Sequence, residues 1–331
     1  MRFPRIHRAI SGRRRSRTFR TVLFLLLTLA LFLVLAEAVL RVVGWFYYRP
    51  IDADLRRLAS APGEGFRILC LGDSHTYGLD ASREQSYPRQ LARLLNNASA
   101  GTNYVVVNGG VPGSNSSQAL TLLNKVLAEP SGRPDLVVVC VGKNNNHNFR
   151  QARFWRDESM KTRSTKEQVE YLLANSKAYR LGLITVVYAR LLLSLGINLE
   201  FSNVIWNHDF LVSWLVRDLE EMVDRVRGAG GEIAFLSYSL PAPSVDESMK
   251  IVARRKDVPV INVFWFGLPL GPVGMAGLTG PTGHPNAKGY AAVARSVHEA
   301  LLKNALIPDA PGYREARAAR SGAAAAGGTP R

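Results

Sequence analysis

The chain has 331 residues, of which 47% are hydrophobic, and this is enough for one large domain or two small ones. Its 42 basic and 26 acidic residues are unevenly spread: residues 1–20 hold eight arginines and no acidic residue, and residues 309–331 hold four arginines against two acidic residues. The body between these ends carries 30 basic and 24 acidic residues. The basic excess is therefore mostly terminal, and we expect no nucleic-acid partner.

An apolar segment, residues 21–46, follows the basic residues 1–20, and its only charged side chains are Glu37 and Arg41. About 20 apolar residues are needed for a helix to cross a bilayer. Glu37 and Arg41 are four residues apart, so they can pair on one face of such a helix. The segment predicts a single transmembrane anchor with the lipid bilayer as its partner.

The position of the arginines predicts the orientation of this anchor. Basic residues favour the cytoplasmic side, so the N-terminus is expected in the cytoplasm and the body outside it, in the periplasm of a Gram-negative cell. The small residues around Glu37, in Ala36–Ala38, leave open a cleaved signal peptide instead. Both alternatives export the body.

Residues 47–66 are predicted to be a linker that includes a short entry helix. Beyond them the pattern becomes one of alternating strands and helices up to about residue 307. Continuous apolar runs predict strands buried on both faces, and the amphipathic stretches between them predict helices. Such alternation is typical of an α/β domain with a parallel sheet between two helix layers, whose site lies at the carboxyl ends of the strands. The predicted strands are 67–73, 104–110, 135–142, 232–239 and 258–264, and the predicted helices are 87–95, 116–127, 211–227 and 287–302.

Two stretches depart from this alternation. Residues 148–207 form an insertion that begins polar and becomes apolar in 181–197. We expect the apolar part to be a lid or a membrane-facing helix, with a packing helix or a second span as alternatives. The low-complexity C-terminal residues 308–331 are expected to be a disordered tail.

Cys70 and Cys140 each lie two residues before a glycine at the end of a predicted strand. If these strands are neighbours, a disulfide is possible outside the cytosol. Two separate buried thiols are the favoured alternative.

Four short motifs stand where chemistry is expected. They are Gly72-Asp73-Ser74, Asn108 to Gly113, Gly142 to Asn145, and Gly283 to Asn286. Ester hydrolysis requires a nucleophile, a base and donors to an oxyanion. Ser74 is the candidate nucleophile and His284 the candidate base, and the candidate donors are the N–H groups of Ser74 and Gly113 and the amide of Asn144. Each also has a structural interpretation, as a helix cap or as a brace for a loop.

In this order the four motifs resemble those of the SGNH or GDSL superfamily of hydrolases. The resemblance spans about residues 67–302 without the insertion, and it implies a flavodoxin-like three-layer fold. It implies that Ser74 is the nucleophile, that Gly113 and Asn144 complete the oxyanion hole, and that His284 is the base. The N-terminal anchor resembles that of membrane-tethered bacterial members.

Two positions depart from the pattern of that superfamily. Its members usually carry an aspartate three residues before the histidine, where this chain has Pro281, and an aspartate where it has Asn145. Loss of the orienting acid costs up to about 10⁴-fold in kcat in a triad enzyme. Thr282 or a backbone carbonyl could orient His284 instead, or a distant carboxylate such as Asp246 could be recruited.

Other polar residues near the motifs are expected to be structural or solvated. Asp73 is expected to make structural hydrogen bonds, and His75 and His147 are expected to be solvated loop residues, with a cleft lining as the alternative. No spacing of His, Cys, Asp and Glu suggests a metal site, and no phosphate loop is present, so no cofactor is expected.

The predicted function is that of a membrane-anchored serine esterase acting on acyl esters of carbohydrate or lipid through an acyl-enzyme. An O-acyltransferase of envelope glycans is an alternative, because a sugar hydroxyl can replace water as the acyl acceptor. A non-catalytic protein that binds acylated glycans or lipids is the other alternative, and Pro281 supports it. The sequence leaves the oligomeric state open.

Overall fold

The computed structural model describes residues 6–60, 65–146, 148, 173, 176–179, 181–182, 208–263 and 277–326. The chain divides into two compact units. The first comprises Met1–Tyr47 and Gln168–Leu199, and the second comprises Tyr48–Glu167 and Glu200–Arg331. Most of the apolar run 181–197 and His147 lie outside the described residues, so the expectations made for them stay predictions.

The first unit is built on the long helix α1, Ile6–Ser60. Its stretch Phe19–Phe46 has a mean hydropathy of 2.8 and no buried residues, so it is long and apolar enough to cross a membrane. The predicted ion pair of Glu37 and Arg41 forms, with 2.8 Å between Oε1 and Nη2. Glu37 also accepts a hydrogen bond from the backbone N–H of Ala178, within the insertion, at 3.0 Å.

The C-terminal part of α1 belongs to the second unit and occupies most of the stretch 47–66, where a linker and an entry helix were expected. Ile51 and Leu58 are buried there, because they face the core of this unit. The buried carboxylate of Asp54 pairs with Arg83 at 2.6 Å and with Arg89 at 2.7 Å. These contacts fix the end of the helix on the body.

The second unit contains a five-stranded parallel sheet in the order β2-β1-β3-β4-β5. Each strand is short and its interior is apolar, as expected for strands covered on both faces. The strand order reverses beside β1, and ligands of such sheets bind at this switch point. The strands are β1 (Phe66–Gly72), β2 (Tyr104–Gly110), β3 (Leu136–Cys140), β4 (Glu232–Leu236) and β5 (Val260–Ile261).

Helices cover the sheet in two groups, because right-handed crossovers that run in opposite directions from β1 place their helices on opposite faces. In one group α3 packs against α7, and in the other α5 packs against α4 and α6. The longer helices are α3 (Tyr87–Ala98), α4 (Ser116–Leu127), α5 (His208–Gly228), α6 (Pro243–Lys256) and α7 (Ala287–Lys303). Among the described residues, the short elements are the helix α2 (Ser74–Tyr77) and three 3₁₀ turns, Arg83–Gln85, Pro130–Gly132 and Lys143–Asn146.

This architecture confirms the predicted α/β fold of flavodoxin-like strand order. The predicted strands and helices are all present, but β4 ends three residues earlier than predicted and β5 has two residues where seven were predicted. Helix α6 was missed, because its charged sequence gives a weak amphipathic signal. A parallel crossover between β4 and β5 nevertheless needs such a connection.

The two cysteines are free and buried, so the disulfide alternative is wrong. Cys70 and Cys140 lie on the neighbouring strands β1 and β3, but they are not opposite each other in the register. Burial raises the pKa of the Cys70 thiol to about 12, so the thiol stays protonated at neutral pH.

The expectation of disorder from residue 308 onward is wrong for most of this tail. Helix α8, Tyr313–Ala326, continues the fold. Its Arg320 pairs with Glu232 at 3.0 Å and donates to the carbonyl of Ala305 at 2.8 Å. The ring of Tyr313 packs edge-on against Phe66. The low-complexity composition of the tail predicted disorder, because composition does not indicate a few specific contacts of this kind.

Candidate active site

Ser74 is the first residue of α2 and follows the buried strand β1 by two positions. The turn depends on Gly72, because a Cβ there would lie 2.3 Å from the carbonyl oxygen of Cys140 and 2.2 Å from Oγ1 of Thr76. Asp73 caps the short helix by accepting the N–H of His75 at 3.0 Å. The serine therefore stands at the carboxyl edge of the sheet, beside the switch point.

The structure brings Ser74 and His284 together although 210 residues separate them in the chain. Oγ of Ser74 lies 2.8 Å from Nε2 of His284, which is hydrogen-bonding distance for a nucleophile and its base. His284 lies in the loop before α7, and Asn286 caps that helix by accepting from the N–H groups of Lys288 and Gly289. The predicted nucleophile and base therefore form a pair.

The surroundings of His284 hold its imidazole in the neutral form. Burial, followed by the neighbouring His75, lowers its pKa from 6.5 to about 4, although the negative charges of Asp73 and Asp80 act in the opposite direction. The imidazole is thus neutral at physiological pH, as a general base must be.

The other imidazole nitrogen, Nδ1, lies 2.8 Å from Oγ1 of Thr282. Thr282 was one of the alternatives raised for orienting His284, and the structure favours it. Asp246 was another, but its carboxylate accepts the N–H of Ala242 at the start of α6 instead. The sequence reasoning missed Asp80, whose Oδ2 accepts from Oγ1 of Thr282 at 2.8 Å.

Asp73 is buried and joins three elements of the site. Its carboxylate accepts the phenol of Tyr238 at 2.5 Å and the amide of Asn144 at 3.2 Å. Burial acts to raise the pKa of Asp73, but the hydrogen bonds and charge of His75, with the bond from Tyr238, outweigh it and lower the pKa. Asp73 is structural, as expected, whereas Tyr238 carried no recognisable motif and was missed.

The three predicted oxyanion donors lie on neighbouring segments. Ser74 opens α2, where backbone N–H groups have no acceptor within the helix. The loop that carries Gly113 is fixed to Gly72, because the N–H of Val111 and the hydroxyl of Ser114 both donate to the Gly72 carbonyl. Gly113 is exposed, has φ +71° and leaves open space where a side chain would be.

Two hydrogen bonds hold the side-chain amide of Asn144. Its Nδ2 donates to the carbonyl of Ser114 at 3.0 Å and to the carboxylate of Asp73 at 3.2 Å. These two contacts match the two amide hydrogens, so an oxyanion would have to share or displace one of them.

A profile of the GDSL-like Lipase/Acylhydrolase family matches residues 70–292, which is more than half of the chain and contains every candidate site residue. The chain belongs to this family. It is therefore an ester-bond hydrolase by family membership. A search of the sequence against curated proteins gave no significant match.

Forty-five solved chains resemble this GDSL-family hydrolase in structure. A lipase/acylhydrolase from Enterococcus faecalis has a TM-score of 0.45 at 18% identity, with 74% of this chain and 98% of that chain covered. The acetylxylan esterase Axe2 from Geobacillus stearothermophilus has a TM-score of 0.45 at 17% identity, with 72% and 95% covered. TesA has a TM-score of 0.44 at 20% identity, with 71% and 97% covered. At these scores the similarities carry no conclusion about the substrate.

In the GDSL-family chain, Asn145 supports the loop that carries Asn144. Its side-chain oxygen accepts the N–H of Ser116 at 2.9 Å, and its amide donates to the Ser116 hydroxyl at 2.8 Å. Asp218, buried beneath, accepts the hydroxyls of Ser116 and Ser117. The replacement of the family aspartate by Asn145 is thus accommodated by a satisfied network.

The expectation that His75 is a solvated loop residue is wrong. His75 is buried with its ring edge-on to Tyr238, at a centroid distance of 4.8 Å, and 4.6 Å from the ring of His284. It lies against the ring of the candidate base instead of in solvent, as its alternative role of lining the cleft requires. Among the described residues, no group of three His, Cys, Asp or Glu side chains is placed to hold a metal ion.

Proposed function

We propose that this GDSL-family hydrolase is a serine esterase that acts on acyl esters of carbohydrate or lipid through an acyl-enzyme. The observation that carries the proposal is the 2.8 Å contact between Oγ of Ser74 and Nε2 of a neutral His284. Ser74 attacks the ester carbonyl while His284 takes its proton, and His284 then protonates the leaving alcohol. Water, activated by His284, releases the acid.

The oxyanion formed in each step needs donors, and we propose the N–H groups of Ser74 and Gly113 with the amide of Asn144. Support comes from the hydrogen bonds that tie all three segments to Gly72 and Asp73. Removal of one such donor typically costs about 10²–10³-fold in kcat.

We propose further that the enzyme is anchored in the cell membrane by residues 19–46, with its N-terminus in the cytoplasm and its site outside. The exposed apolar stretch and the arginines before it support this topology. A cleaved signal sequence would leave the same site outside the cytoplasm. The proposed partners are therefore the bilayer and an acylated glycan or lipid.

The test is labelling of the full-length protein, in detergent, with a fluorophosphonate probe, alongside hydrolysis of acetyl and longer acyl esters. We expect the wild type to react and Ser74→Ala not to react, whereas Ser131→Ala, an exposed serine outside the site, should behave as the wild type. Acetylated polysaccharides belong in the substrate panel, because the proposed substrates include acyl esters of carbohydrate. Folded wild type that never reacts would indicate a binding protein. Acyl transfer to added sugar in preference to water would indicate an O-acyltransferase.

A further inference from the structure

The carboxylate of Asp80, in the turn after α2, contacts the loop that carries the imidazole of His284. Its Oδ2 accepts three hydrogen bonds: from the N–H of Thr282 at 2.9 Å, from Oγ1 of Thr282 at 2.8 Å and from the N–H of His284 at 3.2 Å. A single carboxylate oxygen thus holds both the backbone before the base and the hydroxyl that contacts the base.

We propose that Thr282 and Asp80 are a positioning pair that replaces the aspartate missing at position 281. Thr282 orients the imidazole of His284, and Asp80 orients Thr282 and provides the negative charge. The inference rests on the proposed function, because it concerns the base of that site. Thr282 contacts Nδ1, the ring nitrogen that does not face Ser74, so both residues would act through His284.

The hydrogens can be placed consistently along this chain of contacts. Nε2 of His284 must be unprotonated to accept from Ser74, so Nδ1 carries the ring proton and donates to Oγ1 of Thr282. The hydroxyl of Thr282 then donates its own hydrogen to the carboxylate of Asp80. When His284 takes the serine proton, the imidazolium keeps its Nδ1–H contact with Thr282, and Thr282 keeps its contact with Asp80. No further proton has to move.

The position of Asp80 is fixed by the same turn that presents Ser74. Gly78 ends α2 with φ +99°, and Asp80 follows with φ +67°, a conformation that aspartate tolerates better than most residues. Gly280 makes room opposite, because a Cβ there would lie 2.4 Å from Cβ of Asp80. The nucleophile and the proposed carboxylate therefore belong to one rigid turn.

Asp80 can supply charge as well as geometry. Burial acts to raise its pKa, but the hydrogen bonds from Thr282 and His284 outweigh it and lower the pKa, so the group is ionised at neutral pH. A negative charge behind the ring favours the imidazolium that forms in the transition state.

The first test compares Thr282→Val with Thr282→Ser in the full-length enzyme. Valine keeps the shape and the backbone N–H of residue 282 but removes the hydroxyl. We expect kcat to fall about 10²-fold with KM unchanged, a loss within the range of general acid–base effects. Serine should restore kcat to within a few-fold of the wild type. Thr121→Val, which removes an exposed helix hydroxyl, is the matched control. An unchanged kcat in Thr282→Val would overturn the inference.

The second test uses Asp80→Asn and the pH dependence of kcat/KM. Besides Asp80, the charged or titratable groups that act on His284 are His75, Asp73 and Lys143. Because the charge of Asp80 raises the pKa of His284, its removal should shift the acid limb to lower pH and reduce kcat on the plateau. If Asp80→Asn changes only the stability of the fold and leaves kcat and the acid limb unchanged, the proposal is contradicted.

The third test does not depend on catalysis. In the ¹⁵N-histidine-labelled full chain, NMR should show His284 as the Nδ1–H tautomer in the wild type and a mixture of tautomers in Thr282→Val. If the wild type neither hydrolyses esters nor reacts with fluorophosphonate, the proposed function fails while this measurement still decides the positioning role. A predominant Nε2–H tautomer in the wild type would refute it.

Discussion

The phenol of Tyr238 donates a hydrogen bond to the buried carboxylate of Asp73 across 2.5 Å. This contact joins the segment after β4 to the turn that carries the nucleophile. Lys143 adds to it by donating its N–H to the same phenol oxygen at 3.3 Å. The loops that carry Asp73, Lys143 and Tyr238 are therefore connected at the carboxyl edge of the sheet through one buried carboxylate and one phenol.

We expect Tyr238→Phe to destabilise the fold by about 1.5–3 kcal/mol, the usual cost of removing a hydrogen bond to a charged group. Since the folded-state pKa of Asp73 is lowered, its stabilising effect is present above the unfolded pKa and is lost as pH falls through the folded pKa. The difference from wild type should be largest near neutral pH and shrink in acid. Urea unfolding at several pH values measures this difference in the free energy of unfolding. Tyr313→Phe serves as the control variant.

The pKa of His284 predicts an unusually acid-tolerant esterase. Because the base is lost only when His284 is protonated, kcat/KM should stay near its plateau until the pH falls towards about 4. An ordinary histidine would give a midpoint near its usual pKa of about 6.5. A pH–rate profile of the wild type makes the distinction, and a midpoint at the ordinary value would contradict the buried, neutral base.

Asn144 and Asn145 should fail in different ways when each is changed to alanine. Asn144→Ala removes a proposed oxyanion donor, so we expect kcat to fall by about 10²–10³-fold with little change in KM, together with some loss in Tm from its contacts with Ser114 and Asp73. Asn145→Ala leaves the N–H of Ser116 without its partner, so we expect the main loss in Tm. Steady-state kinetics and thermal unfolding of both variants check this. Equal kinetic losses would argue against a separate role for Asn144.

Gly72→Ala should be strongly destabilising. The added Cβ would meet the backbone carbonyl of Cys140, the last residue of the neighbouring strand β3, at 2.3 Å. We expect a loss of about 3 kcal/mol, at the upper end of typical overpacking costs. The matched control is Gly101→Ala, where nothing lies within 4 Å of the new atom. Thermal unfolding that ranks the two variants alike would be inconsistent with the described packing.

The proposed anchor predicts that the full chain of 36.4 kDa remains in the membrane after carbonate extraction. Alkaline phosphatase fused to the C-terminus should be active, because the body is expected outside the cytoplasm, and the same fusion at the N-terminus should not. A shorter soluble product beginning near Ala38 would support the cleaved signal peptide instead. An inactive C-terminal fusion on a stable protein would reverse the proposed orientation.

The sequence by itself determined the α/β class with a parallel sheet, and it predicted Ser74 and His284 as the two central residues of the candidate site. Buried parallel strands are continuous apolar runs, and the glycines that end them are required locally, as at Gly72. The motif around Ser74 and the one around His284 could therefore be recognised separately and joined by the rule that strand ends converge.

Only the tertiary structure decided what holds these residues in place. Asp80 and Thr282 are 202 residues apart, and Asp73 and Tyr238 are 165 apart, so neither pair leaves a local pattern. Pro281 stands where the family usually has an aspartate, so the sequence, which shows only neighbours along the chain, suggested that the acid is missing. A carboxylate acts through space, and a turn elsewhere in the fold brings one to the same imidazole through a hydroxyl.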